Sequence, residues 1–492
     1  MRSAKVLLVA PGQLFRVCEP SPIFNPVKPE LLALFSYLKR HGVDDVALLD
    51  LECESLSFPR YQEELAGFID ACSNVVASYD YDIMAISCFS TYSYQSALMF
   101  ARISRRIRPE ALVVVGGWHS LSESRDFIVR ENLFDFVVSG AGEKPLLDIA
   151  QGRTTRGPNG TEIITAQPLT PADCAKFEYL YREYAEQAGS RYFSAFQTAP
   201  AAMLPISRGC PYGCVFCGNS LQARRNWTAL TVDRCISLIG QAKAAQPKLD
   251  TCYFSDAFFG VSRKWRREFL AEYARTFPDF PNVVITRVDF IEPPDVERFA
   301  RSRTFVLLGV ESLSCPVLDI MRKTRHPGQY IERTREVIQW LREGHVPHEL
   351  FMILDHPGET EETLAETRSN LEKVLGPFTS VVGFRYIHFP QFAHRYAEYQ
   401  QRFGTELQAP LFWWREPAFC ARSLSDRYVP SKRDSESFDV AKERMERAIA
   451  PYESLCREYA RRTPHGNVVR RDMIQSETGT GRSPIQFEIC HE

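Results

Sequence analysis

Apolar positions in the first part of the chain fall in short unbroken runs, separated by stretches in which they recur every three or four places. The runs are "KVLLVAP" (5–11), "VALLDL" (46–51), "YDIMAISCF" (81–89), "ALVVVGG" (111–117) and "FDFVVSG" (134–140). Unbroken runs of this length suit parallel strands that are covered on both faces. Between them, "PELLALFSYLKRHG" and "YQSALMFARISRRIRP" carry a helical period and close on Gly or Pro. Five such strand–helix units predict an α/β, doubly wound, flavodoxin-like domain over residues 1–152. Its ligand crevice is expected at the carboxyl ends of the strands.

Residues 153–198, opening with "RTTRGPNGTEIITAQPLTP", show no strong period and read as a linker. The alternation then resumes with "PAAMLPIS" (200–207), "DTCYFSD" (250–256), "NVVITRV" (282–288), "TFVLLGVES" (304–312), "HELFMIL" (348–354) and "SVVGFRYIHF" (380–389). Six units are too few for a closed eight-stranded barrel, so an open, partial barrel is predicted over residues 199–390. Residues 391–492 contain "PLFWWREP" and the charged, helical "SFDVAKERMERAIAPYESLCREYARR". They form a third, mainly helical region, expected to close the substrate pocket.

Composition narrows the class. A chain of 492 residues holds two to four domains, and 45% hydrophobic with 24% charged residues is ordinary for a soluble globular protein. A formal net charge of -2 and the lack of a long basic run argue against nucleic acid. No apolar stretch approaches the ~20 residues of a membrane-spanning helix. "VLLVA" is too short for a signal-peptide core and reads as the first strand. Fourteen scattered cysteines do not form a secreted disulfide framework, which points to a reducing cytoplasm.

The chemistry concentrates in "SRGCPYGCVFCGNS" (207–220), which places Cys210, Cys214 and Cys217 on one loop. Thiolates suit zinc or iron–sulfur clusters. A structural zinc site takes four protein ligands, and no obvious fourth lies nearby. Three thiolates can hold three irons of a cubane and leave the fourth open to a small molecule. The loop follows the first barrel strand, at the end where barrel active sites lie. Small residues also gather at the front strand ends, namely Ser87, Ser90, Thr91, Gly116, Gly117, Gly140 and Gly142. Together they suggest a backbone close to a ligand. Cys420, Cys456 and Cys490 are too widely spaced for a second cluster, and Cys88 and Cys252 read as packing residues. His345 and His348 read as ordinary loop histidines, and Trp413 and Trp414 as core or interface. On the sixth barrel strand, Arg385 alternates with Tyr386 and His388, so either face would offer polar groups.

The cysteine segment resembles the CxxxCxΦC motif of the radical S-adenosylmethionine (SAM) superfamily, with Phe216 as the aromatic Φ. The resemblance extends along the barrel. It implies Asp256 of "YFSDAFFG" near the SAM amino group, Arg287 of "ITRVDF" as a SAM contact, and Glu311 of "LLGVESLSCPVLDIMRK" on the ribose. In "FMILDHPGETEETLAET", Asp355 and His356 depart from the family's usual G-x-P-G-E. The front segments "PVKPELLALFSYLKRHG", "VVVGGWHS" and "DFVVSGAGEKPLLDI" are similar to the cobalamin-binding domain of one branch of that superfamily. This implies cobalamin contacts at Ser87, Thr91, Gly116, Gly117, Trp118, Gly140, Gly142 and Glu143. The cobalt-ligating Asp-x-His-x-x-Gly is missing, since Lys39 and Gly117 stand where the Asp of His41 or His119 would be. Implied cofactors are one [4Fe–4S] cluster, SAM and cobalamin. The implied activity is C-methylation of a small metabolite, with an external electron donor such as flavodoxin or ferredoxin. Cyclisation, rearrangement, oxidation or sulfur chemistry is the enzymatic alternative, and a non-catalytic metal scaffold the remote one.

Overall fold

The computed structural model describes residues 4–13, 26–54, 56, 64–122, 124–155, 160–221, 226–386, 390–404, 406–407, 428–429 and 436–461. The front domain runs β1 (Val6–Ala10), α1 (Pro29–Arg40), β2 (Val46–Asp50), α2 (Leu65–Ala77), β3 (Ile83–Ser87), α3 (Tyr94–Ile107), β4 (Leu112–Gly116), α4 (Ser124–Arg130), β5 (Phe136–Ser139) and α5 (Glu143–Ala150). These strands are all parallel, in the order β2-β1-β3-β4-β5. Alternation along each strand feeds two cores. Val6 and Leu8 pack towards α1 and α5, whereas Leu7 and Val9 pack towards α2 and α3. This is why both parities of the sequence run had to be apolar.

The stretch expected as a linker is structured. β6 (Glu162–Thr165) adds a sixth parallel strand beside β5, followed by α6 (Pro171–Lys176) and α7 (Tyr181–Thr198). The strand escaped notice because it is a half-exposed edge, with Ile163 39% exposed, so it shows no buried apolar run. α7 escaped because its buried face is Tyr181, Tyr184, Ala185, Ala188 and Tyr192, a helical period written in tyrosine and alanine. That face joins the core shared by both domains. The backbone N–H of Leu180, just before α7, donates to Ser36 Oγ of α1 at 2.9 Å.

The barrel runs β7 (Ala201–Leu204), β8 (Ser207–Arg208), β9 (Thr228–Ala229), α8 (Val232–Ala245), β10 (Thr251–Phe254), α9 (Arg263–Thr276), β11 (Asn282–Thr286), α10 (Pro293–Arg301), β12 (Thr304–Glu311), α11 (Cys315–Ile320), α12 (Pro327–Glu343), β13 (His348–Leu354), α13 (Glu361–Glu372) and β14 (Thr379–Arg385). Six parallel strands, β7-β10-β11-β12-β13-β14, form the open barrel that the sequence predicts. His348 opens β13 and is buried, its Nε2 2.8 Å from Thr379 Oγ1, so it is a strand residue rather than a loop one. α14 (Ala393–Phe403), the antiparallel pair β15 (Glu406–Leu407) and β16 (Tyr428–Val429), and α15 (Phe438–Arg461) follow. α15 buries Ala441, Met445, Ile449, Tyr452 and Cys456 and lies along β14. A Cβ at Gly383 would stand 3.3 Å from the Tyr452 ring, so the glycine admits the helix. Cys88 and Cys252 are buried in strand regions, as expected. His388, Trp413, Trp414, Cys420, Cys490 and the side chain of Arg385 lie outside the described residues. Among the described residues no helix is long and apolar enough to cross a membrane.

Candidate functional site

The carboxyl ends of both sheets open onto one cavity of about 1210 Å³. Its front wall includes Ser87, Gly116, Gly117, Trp118, Gly140, Gly142 and Glu143. Its barrel wall includes Cys210, Cys214, Phe216, Cys217, Asp256, Arg287 and Glu311. Thr91 is the exception among the residues singled out by sequence. It is fully buried behind the wall, with its Oγ1 3.2 Å from His119 Nδ1.

β8 and β9 pair at the base of the cysteine loop, Ser207 opposite Ala229 and Arg208 opposite Thr228. Gly209 has φ +80°, and a Cβ there would lie 2.1 Å from the Asn226 carbonyl oxygen where the two legs of the loop cross. Cys214 is buried, while Cys210 and Cys217 are partly exposed. Asn219 Nδ2 donates to Cys217 Sγ at 3.7 Å, and Arg287 Nη1 to Cys214 Sγ at 3.8 Å. Burial, then the neighbouring Cys214, pushes the Cys217 thiol up to about 12. Burial also raises Cys210, against the pull of Arg287 and Lys323. Thiols such as Cys210 and Cys217, raised by burial, call for a cationic partner, and the softness of the trio suits an iron–sulfur cluster. Among the described residues no three His, Cys, Asp or Glu side chains gather as they would about a single ion. Thiolates on three corners of a cubane stand further apart than ligands of one ion.

Asp256 lies just beyond β10 and is only half engaged. Its Oδ1 accepts from the backbone N–H of Ile206 at 3.1 Å and of Ser207 at 2.8 Å. Its Oδ2 is buried without a hydrogen-bond partner, and burial lifts the carboxyl to about 7. A carboxylate on the cavity wall with one spare oxygen suits an N–H donor from a ligand.

Arg287, which lines the cavity, also has its charge engaged within the protein. Its Nε and Nη2 bind Asp289 at 2.9 and 2.8 Å, its Nη2 also donates to the Lys323 carbonyl at 2.9 Å, and it covers the Tyr212 ring at 3.9 Å. The guanidinium therefore braces the cysteine loop. Glu311 sits at a bulge in the β12–β13 register with φ +70°, and its Oε1 accepts from Lys323 Nζ at 3.0 Å. Burial disfavours the Lys323 charge, but Glu311 together with Tyr330 and Cys214 outweighs it and the amine is raised. Sequence reasoning missed Lys323, although it closes the quoted "LLGVESLSCPVLDIMRK". Asp355 adopts φ +60°, the left-handed conformation a glycine would supply, and its N–H donates to Glu359 Oε2 at 2.7 Å. The turn thus keeps its shape despite the departure in sequence.

In the front wall, a Cβ at Gly117 (φ +102°) would meet the Cys88 carbonyl oxygen at 2.4 Å, and one at Gly140 (φ +113°) the Ala166 carbonyl oxygen at 2.5 Å. These glycines are required by the protein's own backbone crossings, not by a ligand alone. Gly116 is different, since its Cβ would find nothing nearer than Val138 at 3.6 Å. Glu143, expected as a cobalamin contact, is buried and paired with Arg208 of β8. His41 is exposed on α1's end, 2.7 Å from the Tyr37 carbonyl. His119 lies tilted against the Tyr94 ring at 4.5 Å, and burial pushes it down to about 3. Neither lines the cavity, and among the described residues its wall contains no histidine. A large space floored by glycine and serine suits a corrin held by backbone and small side chains.

Residues 204–371 match the radical SAM superfamily, and residues 28–150 match the B12 binding domain. The fold and the site thus define a radical SAM barrel behind a B12-binding domain. The chain carries a radical SAM domain preceded by a B12-binding domain, and the cofactors that go with the two are a [4Fe–4S] cluster, SAM and cobalamin. It is 25% identical over 346 residues to the uncharacterized methyltransferase PH0819 of Pyrococcus horikoshii, covering 68% of this chain and 71% of that one. It is 23% identical over 351 residues to the anaerobic magnesium-protoporphyrin IX monomethyl ester cyclase of Rubrivivax gelatinosus, covering 68% of this chain and 60% of that one. Its fold is similar to that of the radical SAM methyltransferase TsrM from Kitasatospora setae, solved with cobalamin and a [4Fe–4S] cluster, at a TM-score of 0.62 and 18% identity over 92% of this chain and 89% of that one.

The two adjacent glycines separate folding from corrin binding. Gly117→Ala should destabilise the apoprotein by at least ~1–3 kcal/mol through backbone strain. Gly116→Val should leave the apoprotein's melting midpoint near that of the parent, yet lower corrin uptake read by absorbance after reconstitution. Unchanged uptake in Gly116→Val would remove Gly116 from the cradle.

Proposed function

We propose that this chain is a cobalamin-dependent radical SAM methyltransferase that methylates a poorly activated carbon of a small molecule. The observation that carries this reading is the single cavity shared by the three-thiol loop and the glycine-edged strand ends of the front domain. When bound, the cluster supplies an electron, SAM the hydrogen-abstracting fragment and the methyl group, and cobalamin the methyl carrier. The chain's own residues bind, orient and exclude water. Cys210, Cys214 and Cys217 hold the cluster. Asp256 offers its spare oxygen to the SAM amino group, and Glu311, steadied by Lys323, faces the ribose. Tyr212, Phe216, Tyr253 and Phe258 line the barrel mouth with apolar surface, which keeps it dry. An external one-electron donor such as flavodoxin or ferredoxin, in a reducing cytoplasm, completes the reading. The methyltransferase named among the relatives supports it, and the cyclase among them sustains cyclisation as the second reading.

Product mass decides between the two, because methyl transfer adds one carbon and cyclisation adds none. In the same assay Cys214→Ala should lose both the cluster and SAM cleavage, since a thiolate ligand is gone. Cleavage surviving in that variant would reject the ligand assignment.

A pH dependence follows from Asp256. With its carboxyl lifted to about 7, the acceptor form is lost as pH falls through that value. SAM affinity should therefore rise as pH rises through 7, and Asp256→Asn should flatten the profile. A parallel profile in the variant would show that the carboxyl takes no part.

Glu311→Gln should weaken SAM binding by ~1.5–3 kcal/mol, the range for a hydrogen bond to a charged group, with iron content unchanged. The same change unpairs Lys323, so melting of the apoprotein reports the structural share of the effect separately. Unaltered SAM affinity would leave Glu311 as a partner of Lys323 alone.

A further inference from the structure

The segment that follows the last barrel strand touches both cofactor walls. Gln391, buried in the turn Pro390–Phe392, donates from Nε2 to Thr91 Oγ1 and to the Trp118 carbonyl, both at 3.3 Å. Thr91 and Trp118 belong to the loops after β3 and β4, at the front wall. Four residues on, in the first turn of α14, Arg395 donates to the carbonyl of Val215, between Cys214 and Phe216. The same helix contributes Tyr399 to a small cluster with Tyr386, against which Phe216, Ile353 and Phe403 pack. Gly358 gives it room, because a Cβ there would meet the Phe403 ring at 2.8 Å. One short segment therefore grips the cysteine loop with an Arg, shares an aromatic cluster with its Phe216, and holds the front-wall loops with an amide.

We infer that Gln391–Phe403 is a strut that fixes the gap between the front-wall loops and the cysteine loop, with Gln391 and Arg395 as its positioning residues. This rests on the methyltransferase reading, in which two cofactors in different domains must reach one substrate carbon. The domains share a core at α1, α7 and α8, below the cavity, and the strut ties them at its rim. Each contact is of a kind that sets position. The Arg395 guanidinium is a rigid fork with a charged donor, and the Gln391 amide meets two acceptors at once, one from each front loop. Slack of the order of an ångström between reacting centres lowers transfer steeply, while cleavage of SAM, which needs the barrel wall alone, continues.

The test uses the full chain carrying Gln391→Ala, Arg395→Ala or Arg395→Lys, checked by thermal melting for an intact fold. Amide hydrogen exchange of the apoprotein needs no cofactor. Each Ala variant should speed exchange at both residues 117–121 and residues 210–219, although each removes a contact to one of them alone. In the reconstituted holoenzyme, SAM cleaved per methyl transferred should rise ~10- to 100-fold in the Ala variants, and Arg395→Lys should recover part of the coupling. Spin–spin broadening of the Co(II) signal by the reduced cluster should change with it. Exchange confined to the loop that lost its contact, or an unchanged cleavage ratio, would overturn the strut. A protein with coupled exchange that transfers no methyl group would overturn the methyltransferase reading and leave the strut standing.

Discussion

The contact between Glu143 and Arg208 decides how the two halves of the molecule can work together. Glu143 begins α5 in the front domain, and Arg208 lies in β8, two residues before the first cysteine of the loop. The carboxylate is buried, and the guanidinium also donates to Tyr179 OH at 3.0 Å and lies over the Phe177 ring at 5.2 Å. An ion pair of this kind contributes little net stability, because desolvation offsets its attraction. Its value is geometric. It holds the root of the cysteine loop against the front helix, so that two sets of strand ends face one another across a single space.

Backbone strain reaches the edge of that space. Glu311 and Asp355 both adopt positive φ without being glycine, at the ends of β12 and β13. Such conformations cost free energy and persist where the surroundings over-determine them. Here Lys323 holds the Glu311 carboxylate, and Glu359 holds the Asp355 N–H. The strain at Glu311 sets a carboxylate on the cavity wall, and the pairing keeps each strained residue in place.

The strands were legible in the sequence because burial on both faces demands unbroken apolar runs, and β1 to β5 and the six barrel strands meet that demand. β6 has one half-exposed edge and α7 packs through tyrosines, so neither wrote such a run. The cysteine trio was legible for the same local reason, since its spacing lies within eight positions of one loop. Partners were not. Arg287 and Glu143 line the cavity, and folding also pairs their charges with Asp289 and Arg208. Lys323 meets Glu311 only because the chain turns back after β12, and Gln391 has a role set by Thr91 three hundred positions away, so no helical or strand period records either pairing.

The sixth strand of the front sheet has a consequence for how this architecture can be recombined. β6 comes after the front domain's last helix, yet it covers the edge of β5 through the pairs Phe136–Glu162 to Ser139–Thr165. A fragment cut at residue 152 would leave β5 as a bare edge, open to pairing with another chain. The helix that follows, α7, carries tyrosines into the core of both domains. The unit of inheritance is therefore larger than the ligand-binding domain: a B12-binding module exchanged between such enzymes must bring its borrowed strand and its bridging helix with it.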